Sequence, residues 1–242
     1  MERTTKRQIV AFGGGGFSTE PHGSPLDLYV LAQSNKCTPN VCFIATASGD
    51  DRQYIASFYH AFARYECKPS HLSIFDPPTR DLESFLLTKD VIYVGAGNTR
   101  NLLTLWREWD VDGILRKAWE AGIVLAGISA GAVCWFEQCL SDYIPGELNP
   151  LNCLSFLPGS LCPHYDVQPG RRPAYRRLIG EGSLRDGVAV DDGVALHYEG
   201  LDLTTAVTAS SFARAFQVRK VGNGVSENAL EVGHLDCDRQ RA

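Results

Sequence analysis

The sequence has no apolar run long enough to cross a membrane. A spanning helix needs about 20 apolar residues, and no stretch of this chain approaches that length. The amino-terminal segment MERTTKRQIVAF carries basic residues, but its apolar part is only IVAF before four glycines. That part is too short for the core of a secretory signal peptide. We therefore expect a cytoplasmic protein that does not associate with membranes.

Clustered charge, linkers and repeats are also missing. The net charge is −5, and basic and acidic residues are interspersed along the 242 residues. A nucleic-acid surface needs a concentrated positive field, so nucleic acid is not an expected partner. Without a Ser/Gly/Pro-rich linker or an internal repeat, we expect one domain over residues 1–242, whose last eight or so residues form a frayed tail.

The cysteine pattern lacks the spacing of a metal or disulfide framework. The chain has eight cysteines and no C-x-x-C, and most of them lie in apolar segments such as "AVCWF". In a cytosolic chain such cysteines are usually reduced and buried. We expect neither structural zinc nor a set of disulfides.

A nucleotide fingerprint is incomplete. The glycine-rich segment 13–16 follows an apolar run, but Ser18 stands where G-x-G-x-x-G needs its last glycine, and G-K-[ST] is absent. We therefore predict a tight backbone turn rather than a dinucleotide site, and no cofactor.

What the chain does contain is an alternation of short apolar runs and amphipathic segments. Buried strands are predicted at 8–12, 41–45, 71–75, 91–94 and 123–126. Helices are predicted at 25–35, 51–65, 79–88, 98–108, 111–121, 130–139 and 171–180. This order indicates an α/β fold with a mostly parallel sheet and helices on both faces. The last third predicts added antiparallel strands, with a hairpin around Asn223-Gly224.

The segment "GISAGAVCWF" (127–136) fits G-x-S-x-G, the pattern of a nucleophile elbow. In this motif a strand passes into a helix almost without a loop. Side chains two residues before and after the serine would collide there, and those positions are Gly127 and Gly131. The motif predicts Ser129 as a nucleophile at the carboxyl edge of the sheet. The alternative is a tight turn with Ser129 as a helix cap.

A serine nucleophile needs a base and a group that orients the base. Of the six histidines, His164 in "CPHYD" follows an apolar run and the rigid Pro163, so it could meet Ser129 at the same edge. His197 alternates within a strand and is predicted to have a local partner. The alternative for His164 is a structural role in a loop.

The third member of the triad is chosen among several acids. Asp192, in "AVDDGVA" between two predicted strands, is the preferred candidate. Its rivals are Asp191, Asp142 and Asp166, and a pair of acids before glycine also suits an ordinary turn.

Backbone N–H groups at two strand ends are candidates for an oxyanion hole. One is that of Ala130, directly after the serine. The other is that of Gly97 or Asn98 in "VIYVGAGNTRNLL", where a glycine-rich turn precedes a helix. The alternative is a plain turn capped by Asn98 or Thr99.

The segments "GAGNT", "GISAGA" and "CPHYD", in that order, resemble the aspartyl dipeptidase family of serine peptidases, which includes cyanophycinase. The resemblance spans about residues 8–232. It implies a flavodoxin-like fold similar to class I glutamine amidotransferases, no cofactor or metal, and a small peptide as substrate. It also implies Ser129 as nucleophile and His164 as base, with Asp192 or, alternatively, Asp142 as the acid.

The chain departs from the family pattern at two places. Ala96 replaces the first glycine of G-G-N-T, and the segment after His164 is short for an aspartyl dipeptidase. Arg171 and Arg172 in that segment could bind a substrate carboxylate, or they could be a solvated helix start. The resemblance therefore implies peptidase activity without fixing Asp-Xaa specificity.

Two other functions stay open at this point. A glutaminase-type amidase would carry cysteine at the elbow, and a binding or regulatory protein could keep the fold without catalysis. A homodimer is compatible with the sequence.

Overall fold

The computed structural model describes residues 6–235. The tail predicted for the last eight or so residues lies, apart from Leu235, outside this range. Leu235 itself donates its backbone N–H to the carbonyl of Thr208 at 2.7 Å.

The first part of the chain alternates strands and helices, as the sequence predicts. Its elements are β1 (Gln8–Phe12), α1 (Pro25–Gln33), β2 (Asn40–Ile44), α2 (Arg52–Phe62), β3 (Lys68–Leu72), α3 (Leu82–Leu87), β4 (Val91–Val94), α4 (Thr99–Glu108), α5 (Val111–Glu120) and β5 (Val124–Ile128). Short 3-10 turns follow β1 at Gly16–Ser18 and β2 at Thr46–Ser48. Asp51, Asp81 and Asn98 cap α2, α3 and α4 with their side chains.

The second part adds shorter elements. They are α6 (Ala130–Val133), β6 (Phe136–Ser141), β7 (Asn149–Asn152), β8 (Leu157–Cys162), α7 (Arg171–Glu181), β9 (Gly187–Val190), β10 (Val194–Glu199), β11 (Asp202–Thr208), β12 (Ala215–Val221), β13 (Gly224–Ala229) and β14 (Gly233–His234).

The strands between residues 6 and 235 form two sheets. The larger has the order β14-β11-β10-β1-β5-β4-β2-β3, and its β1-β5-β4-β2-β3 part is parallel. Alternate strand residues enter different cores: Ile9 and Ala11 pack with α4 and α5, whereas Val10 and Phe12 pack with α1 and α2. Burial on both faces explains why these strands are continuous apolar runs.

The smaller sheet has the order β13-β12-β9-β8-β6-β7. Here β6, β8 and β9 are parallel, and the outer strands are antiparallel. The α/β fold class and the antiparallel carboxyl-terminal strands are confirmed, but the strands beyond β5 divide between two sheets rather than extend one. β9 and β10 belong to different sheets, so the turn 191–193 joins them.

Three expected elements differ in position. The helix predicted at 130–139 ends at Val133, because Phe136–Ser141 pairs with β7 and β8 as a strand; pairing outweighs the local helical pattern. The strand expected at 71–75 lies at Lys68–Leu72. In the hairpin, Val221 pairs with Gly224, so the turn residues are Gly222 and Asn223.

In residues 6–235, none of the helices combines the length and the apolar character that crossing a membrane requires.

Candidate active site

Ser129 stands at a sharp strand-to-helix turn. It follows β5 directly and precedes α6, with φ 52° and ψ −110°, a conformation that non-glycine residues rarely adopt. A Cβ on Gly127 would lie 2.1 Å from the carbonyl oxygen of Gly131, and one on Gly131 would lie 2.3 Å from that of Val94. The collisions that the motif implies are therefore real at both glycines.

His164 reaches Ser129 from the other sheet. It lies just beyond β8, after Pro163, and has φ 55°. Its Nε2 is 2.8 Å from Ser129 Oγ. Its side chain is 18 per cent exposed, so the pair is accessible from solvent.

Asp192 completes the chain of contacts from the turn between β9 and β10. Its Oδ1 is 2.6 Å from His164 Nδ1. The tautomer that uses both contacts has Nδ1 protonated and donating to Asp192, and Nε2 free to accept from the serine hydroxyl. The backbone N–H of Asp192 donates to Asp166 at 3.0 Å.

The rival acids are engaged elsewhere. Asp191 accepts the backbone N–H of Arg214 at 2.9 Å. Asp142 forms an ion pair with Arg171 at 3.1 Å. Asp166 accepts from the Asp192 backbone, as described. Of these acids, Asp192 alone contacts the imidazole of His164 in the described structure.

The glycine-rich segment lies against Asp192. Gly193 donates its N–H to Gly14 at 3.0 Å, and Gly13 donates to Val194 at 3.1 Å. A Cβ on Gly14 would lie 2.3 Å from Asp192 Oδ1. The segment that resembles a nucleotide loop therefore packs as a support for the carboxylate that contacts His164.

Two backbone N–H groups that follow the neighbouring strands β4 and β5 have no assigned acceptor in the described fold. Ala130 is the first residue of α6, so no earlier turn accepts its N–H. Gly97 follows β4, the parallel neighbour of β5, and no protein acceptor within residues 6–235 takes its N–H.

Asn98 differs from the prediction. Its N–H donates to Ala47 at 2.7 Å, and its side chain caps α4 and donates to the carbonyl of Tyr143 at 3.0 Å. It therefore has no free backbone donor for an anion.

The two arginines that were candidates either for a substrate carboxylate or for a solvated helix start each pair with a carboxylate of the protein. Arg171 is 3 per cent exposed and, besides Asp142, binds the carbonyl of Leu140 at 3.1 Å and the side chain of Gln168. Arg172 pairs with Glu227. Arg171 therefore fixes the start of α7 against β6 instead of facing solvent.

His197 has the local partners that the sequence predicts. Its Nδ1 is 2.8 Å from Tyr29 Oη and its Nε2 is 3.2 Å from Gln8 Oε1. Burial lowers the pKa of this imidazole.

No pattern in the sequence singles out two polar side chains that lie near the glycine-rich segment in the structure. Asp27 is fully buried, and its carboxylate accepts from Tyr93 Oη at 2.9 Å and from Tyr65 Oη at 3.4 Å. Burial raises its pKa to about 7, against the opposing effect of these hydrogen bonds. In the sequence Asp27 resembles any acid in a first helical turn. Tyr54, whose hydroxyl lies between two loops, resembles an ordinary residue of an amphipathic helix.

No group of three or more histidine, cysteine or acidic side chains within residues 6–235 is arranged to hold a metal ion.

Comparison with known proteins identifies the family of this chain. The model of Peptidase family S51 matches residues 9–206. The chain belongs to this peptidase family. It is 53 per cent identical over 229 residues to the uncharacterized peptidase YgaJ of Bacillus subtilis, covering 95 per cent of this chain and 99 per cent of that protein. It is 30 per cent identical over 131 residues to Peptidase E of Shewanella denitrificans, covering 50 and 56 per cent of the two chains.

Solved structures share the fold. A peptidase from an acI-B1 actinobacterium superposes with a TM-score of 0.69 at 15 per cent identity, over 95 per cent of this chain and 96 per cent of that one. A putative Peptidase E protein from Listeria monocytogenes gives 0.59 at 18 per cent identity, over 93 and 100 per cent. The resemblance inferred from the three motifs is confirmed at the level of the family and the fold.

Proposed function

We propose that this S51 peptidase is a serine peptidase that hydrolyses small peptides through an acyl-enzyme. The observation that carries the proposal is the continuous contact from Ser129 Oγ through the His164 imidazole to Asp192, at 2.8 and 2.6 Å. Both distances lie in the range of nucleophile–base and base–carboxylate hydrogen bonds.

In the proposed reaction Ser129 Oγ bonds to the peptide carbonyl carbon while His164 Nε2 takes the hydroxyl proton. The carbon–nitrogen bond then breaks, and the same proton passes to the leaving amine. Water next attacks the ester with His164 again as base, which releases the acid and restores Ser129. Asp192 keeps Nδ1 protonated and stabilises the imidazolium in both halves.

The negative oxygen of the tetrahedral intermediate would be bound by the N–H groups of Gly97 and Ala130. Both follow neighbouring parallel strands, and both lack a competing acceptor in the described fold. Asn98 is not included, because its N–H is committed to Ala47.

For the substrate we propose a short peptide without assigning an acidic first residue. A carboxylate-binding role for Arg171 is not supported, because its donors are engaged by Leu140, Asp142 and Gln168. Cytoplasmic location and a homodimer remain predictions from the sequence.

The first test is intact mass after treatment with a fluorophosphonate. We expect one adduct on the wild type, none on Ser129→Ala, and an adduct that forms at least a hundredfold more slowly on His164→Ala, since a general base contributes roughly 10²–10⁴-fold. A folded wild type that forms no adduct would contradict the proposal and favour a binding or regulatory protein.

The acid is tested with a matched pair. Asp192→Asn should slow fluorophosphonate labelling by up to roughly 10⁴-fold, the size of the effect when a triad carboxylate is made an amide. Asp142→Asn alters a carboxylate that pairs with Arg171 instead, so labelling should stay within about twofold of wild type. If Asp142→Asn slowed labelling strongly and Asp192→Asn did not, the acid of the triad would be Asp142.

A glutaminase-type amidase has less support. The cysteine nearest the elbow in sequence, Cys134, is fully buried and its thiol contacts the Gly131 carbonyl at 3.3 Å. Burial raises the pKa of this thiol well above its usual value, so it is a poor nucleophile.

A further inference from the structure

The loop after β4 leaves one backbone donor free. Gly95 donates its N–H to Ile44 at 3.0 Å, Ala96 donates to Tyr54 Oη at 3.2 Å, and Asn98 donates to Ala47 at 2.7 Å. Gly97 lies between the last two and is the member of this loop whose N–H has no protein acceptor within residues 6–235. The direction of the Gly97 N–H is therefore set by the groups that bind the N–H groups of Ala96 and Asn98.

The N–H of Ala96, directly before Gly97, is bound by a side chain, whereas the N–H of Asn98, directly after it, is bound by a backbone carbonyl. Contacts of its backbone and its ring fix the position of Tyr54. Its own N–H is held by the Asp51 cap at 2.7 Å, and its ring stacks on Phe17 at 5.4 Å and meets Phe43 edge-on at 5.2 Å. A Cβ on Gly95 would lie 2.8 Å from the ring, so the loop rests directly on the tyrosine.

The hydroxyl of Tyr54 joins two loops. Besides accepting from Ala96, Tyr54 Oη lies 2.6 Å from Ser18 Oγ. Since the phenol accepts from Ala96, its own proton is best used toward Ser18. Burial raises the pKa of Tyr54, so the hydroxyl stays protonated and keeps both contacts through the neutral range.

Ser18 ends the 3-10 turn that continues the glycine-rich segment, and Gly14 of that segment lies against Asp192. One phenol therefore connects the loop with the free Gly97 donor to the loop that supports the triad carboxylate. No other side chain within residues 6–235 hydrogen-bonds to both segments 13–18 and 95–98.

We propose that Tyr54 is a positioning residue, which aims the Gly97 N–H at the oxyanion by holding Ala96 through its hydroxyl. The inference rests on the proposed serine-peptidase function. Tyr54 touches neither the substrate nor Ser129 in this role and acts through the loop alone.

The test compares two Tyr→Phe variants from the same helix. Tyr54→Phe keeps the aromatic packing and removes only the hydroxyl. Tyr59→Phe is the matched control, because it removes a hydroxyl that bonds His71 Nδ1 at 2.8 Å, away from both loops. The probe is a fluorophosphonate, whose phosphoryl oxygen must enter the same donor pair.

For Tyr54→Phe we expect the maximal labelling rate to fall by about 10- to 100-fold, below the roughly 10²–10³-fold cost of deleting an oxyanion donor outright. The half-saturating probe concentration and the pH dependence of labelling should stay as in wild type, since His164 and Asp192 are untouched. Tyr59→Phe should label at the wild-type rate.

A second readout does not depend on activity. Hydrogen exchange of the peptide that contains Ala96 should be faster in Tyr54→Phe and unchanged in Tyr59→Phe. Wild-type labelling rate and wild-type exchange in Tyr54→Phe would overturn this inference and leave the proposed function intact. A wild type that does not label would overturn both.

Discussion

The buried carboxyl of Asp27 makes the stability of the protein depend on pH in an unusual direction. The side chain is fully buried beneath the glycine-rich segment and is held by Tyr93 and Tyr65. Its pKa is raised from 3.8 to about 7. The perturbation is Asp27→Asn, since an amide has the shape of the neutral carboxyl and cannot ionise.

The sign follows from proton linkage. Between about pH 4 and pH 7 the folded protein keeps a proton on Asp27 that the unfolded chain releases, so raising the pH favours unfolding. The contribution is fully present below the unfolded pKa and is lost as the pH rises through about 7. A difference of about 3 pKa units corresponds to at most roughly 4 kcal/mol at 1.36 kcal/mol per unit.

The assay is urea unfolding at pH 5 and pH 8 for wild type and variant. Other groups contribute to the wild-type pH dependence, among them Glu20, Asp191 and Glu227. The quantity of interest is therefore the difference between the two proteins at each pH. We expect Asp27→Asn to gain stability relative to wild type on going from pH 5 to pH 8, by about 1–3 kcal/mol, because about two of the three pKa units lie within this interval.

Asp81→Asn is the control, because Asp81 is an exposed N-cap of α3 and asparagine caps helices equally well. Its pKa is lowered by hydrogen bonds from Ser84, so it is ionised in both states from pH 5 upward, and wild type and control should change in parallel. Parallel curves for Asp27→Asn as well would refute the assignment of a proton to Asp27 near neutral pH.

Two further predictions concern the frame of the site. Gly131→Ala puts a Cβ 2.3 Å from the Val94 carbonyl, so we expect at least about 2 kcal/mol lower stability by urea unfolding and loss of fluorophosphonate labelling in the folded fraction; wild-type labelling would contradict the tight elbow. Arg171→Met removes a buried cation with three protein partners and should lower the unfolding free energy by about 1–3 kcal/mol. Labelling of Ser129 should persist there, whereas its loss would indicate that Arg171 acts in the reaction.

The elbow could be predicted from the sequence because its constraints are local. Gly127 is needed because the Gly131 carbonyl lies about 2 Å from its Cβ position, and this collision depends on a few consecutive residues. The collision at Gly131 is with Val94 of the neighbouring strand β4. His164 and Asp192 were predictable for a related reason. Each comes within two residues after a strand that the apolar pattern reveals, and ligands of open α/β sheets bind at the carboxyl ends of strands. The sequence does not show that these two strands belong to the smaller sheet while Ser129 follows a strand of the larger one.

The remainder depends on contacts between distant segments. The helix expected at 130–139 is replaced by β6, because β7 and β8 supply partners that no local pattern records. Arg171 has the sequence of a solvated helix start, yet it is buried by residues more than twenty positions away. Asn98 illustrates the same limit, since its N–H is taken by Ala47 in a different loop.

Both the serine and the histidine of the site adopt a positive φ, which costs a non-glycine residue about 1–3 kcal/mol. They lie on different sheets, and Asp192 lies in the turn that links those sheets. The geometry of the proposed triad therefore depends on the relative position of the two sheets as well as on each turn. A substitution that shifts one sheet by about 1 Å would separate Ser129 Oγ from His164 Nε2 before it unfolds either sheet, because placement errors of that size suffice to cost catalysis about a hundredfold. Along a urea titration, fluorophosphonate labelling of Ser129 should therefore be lost at a lower urea concentration than folded structure, because the contact between the two sheets is lost before either sheet unfolds.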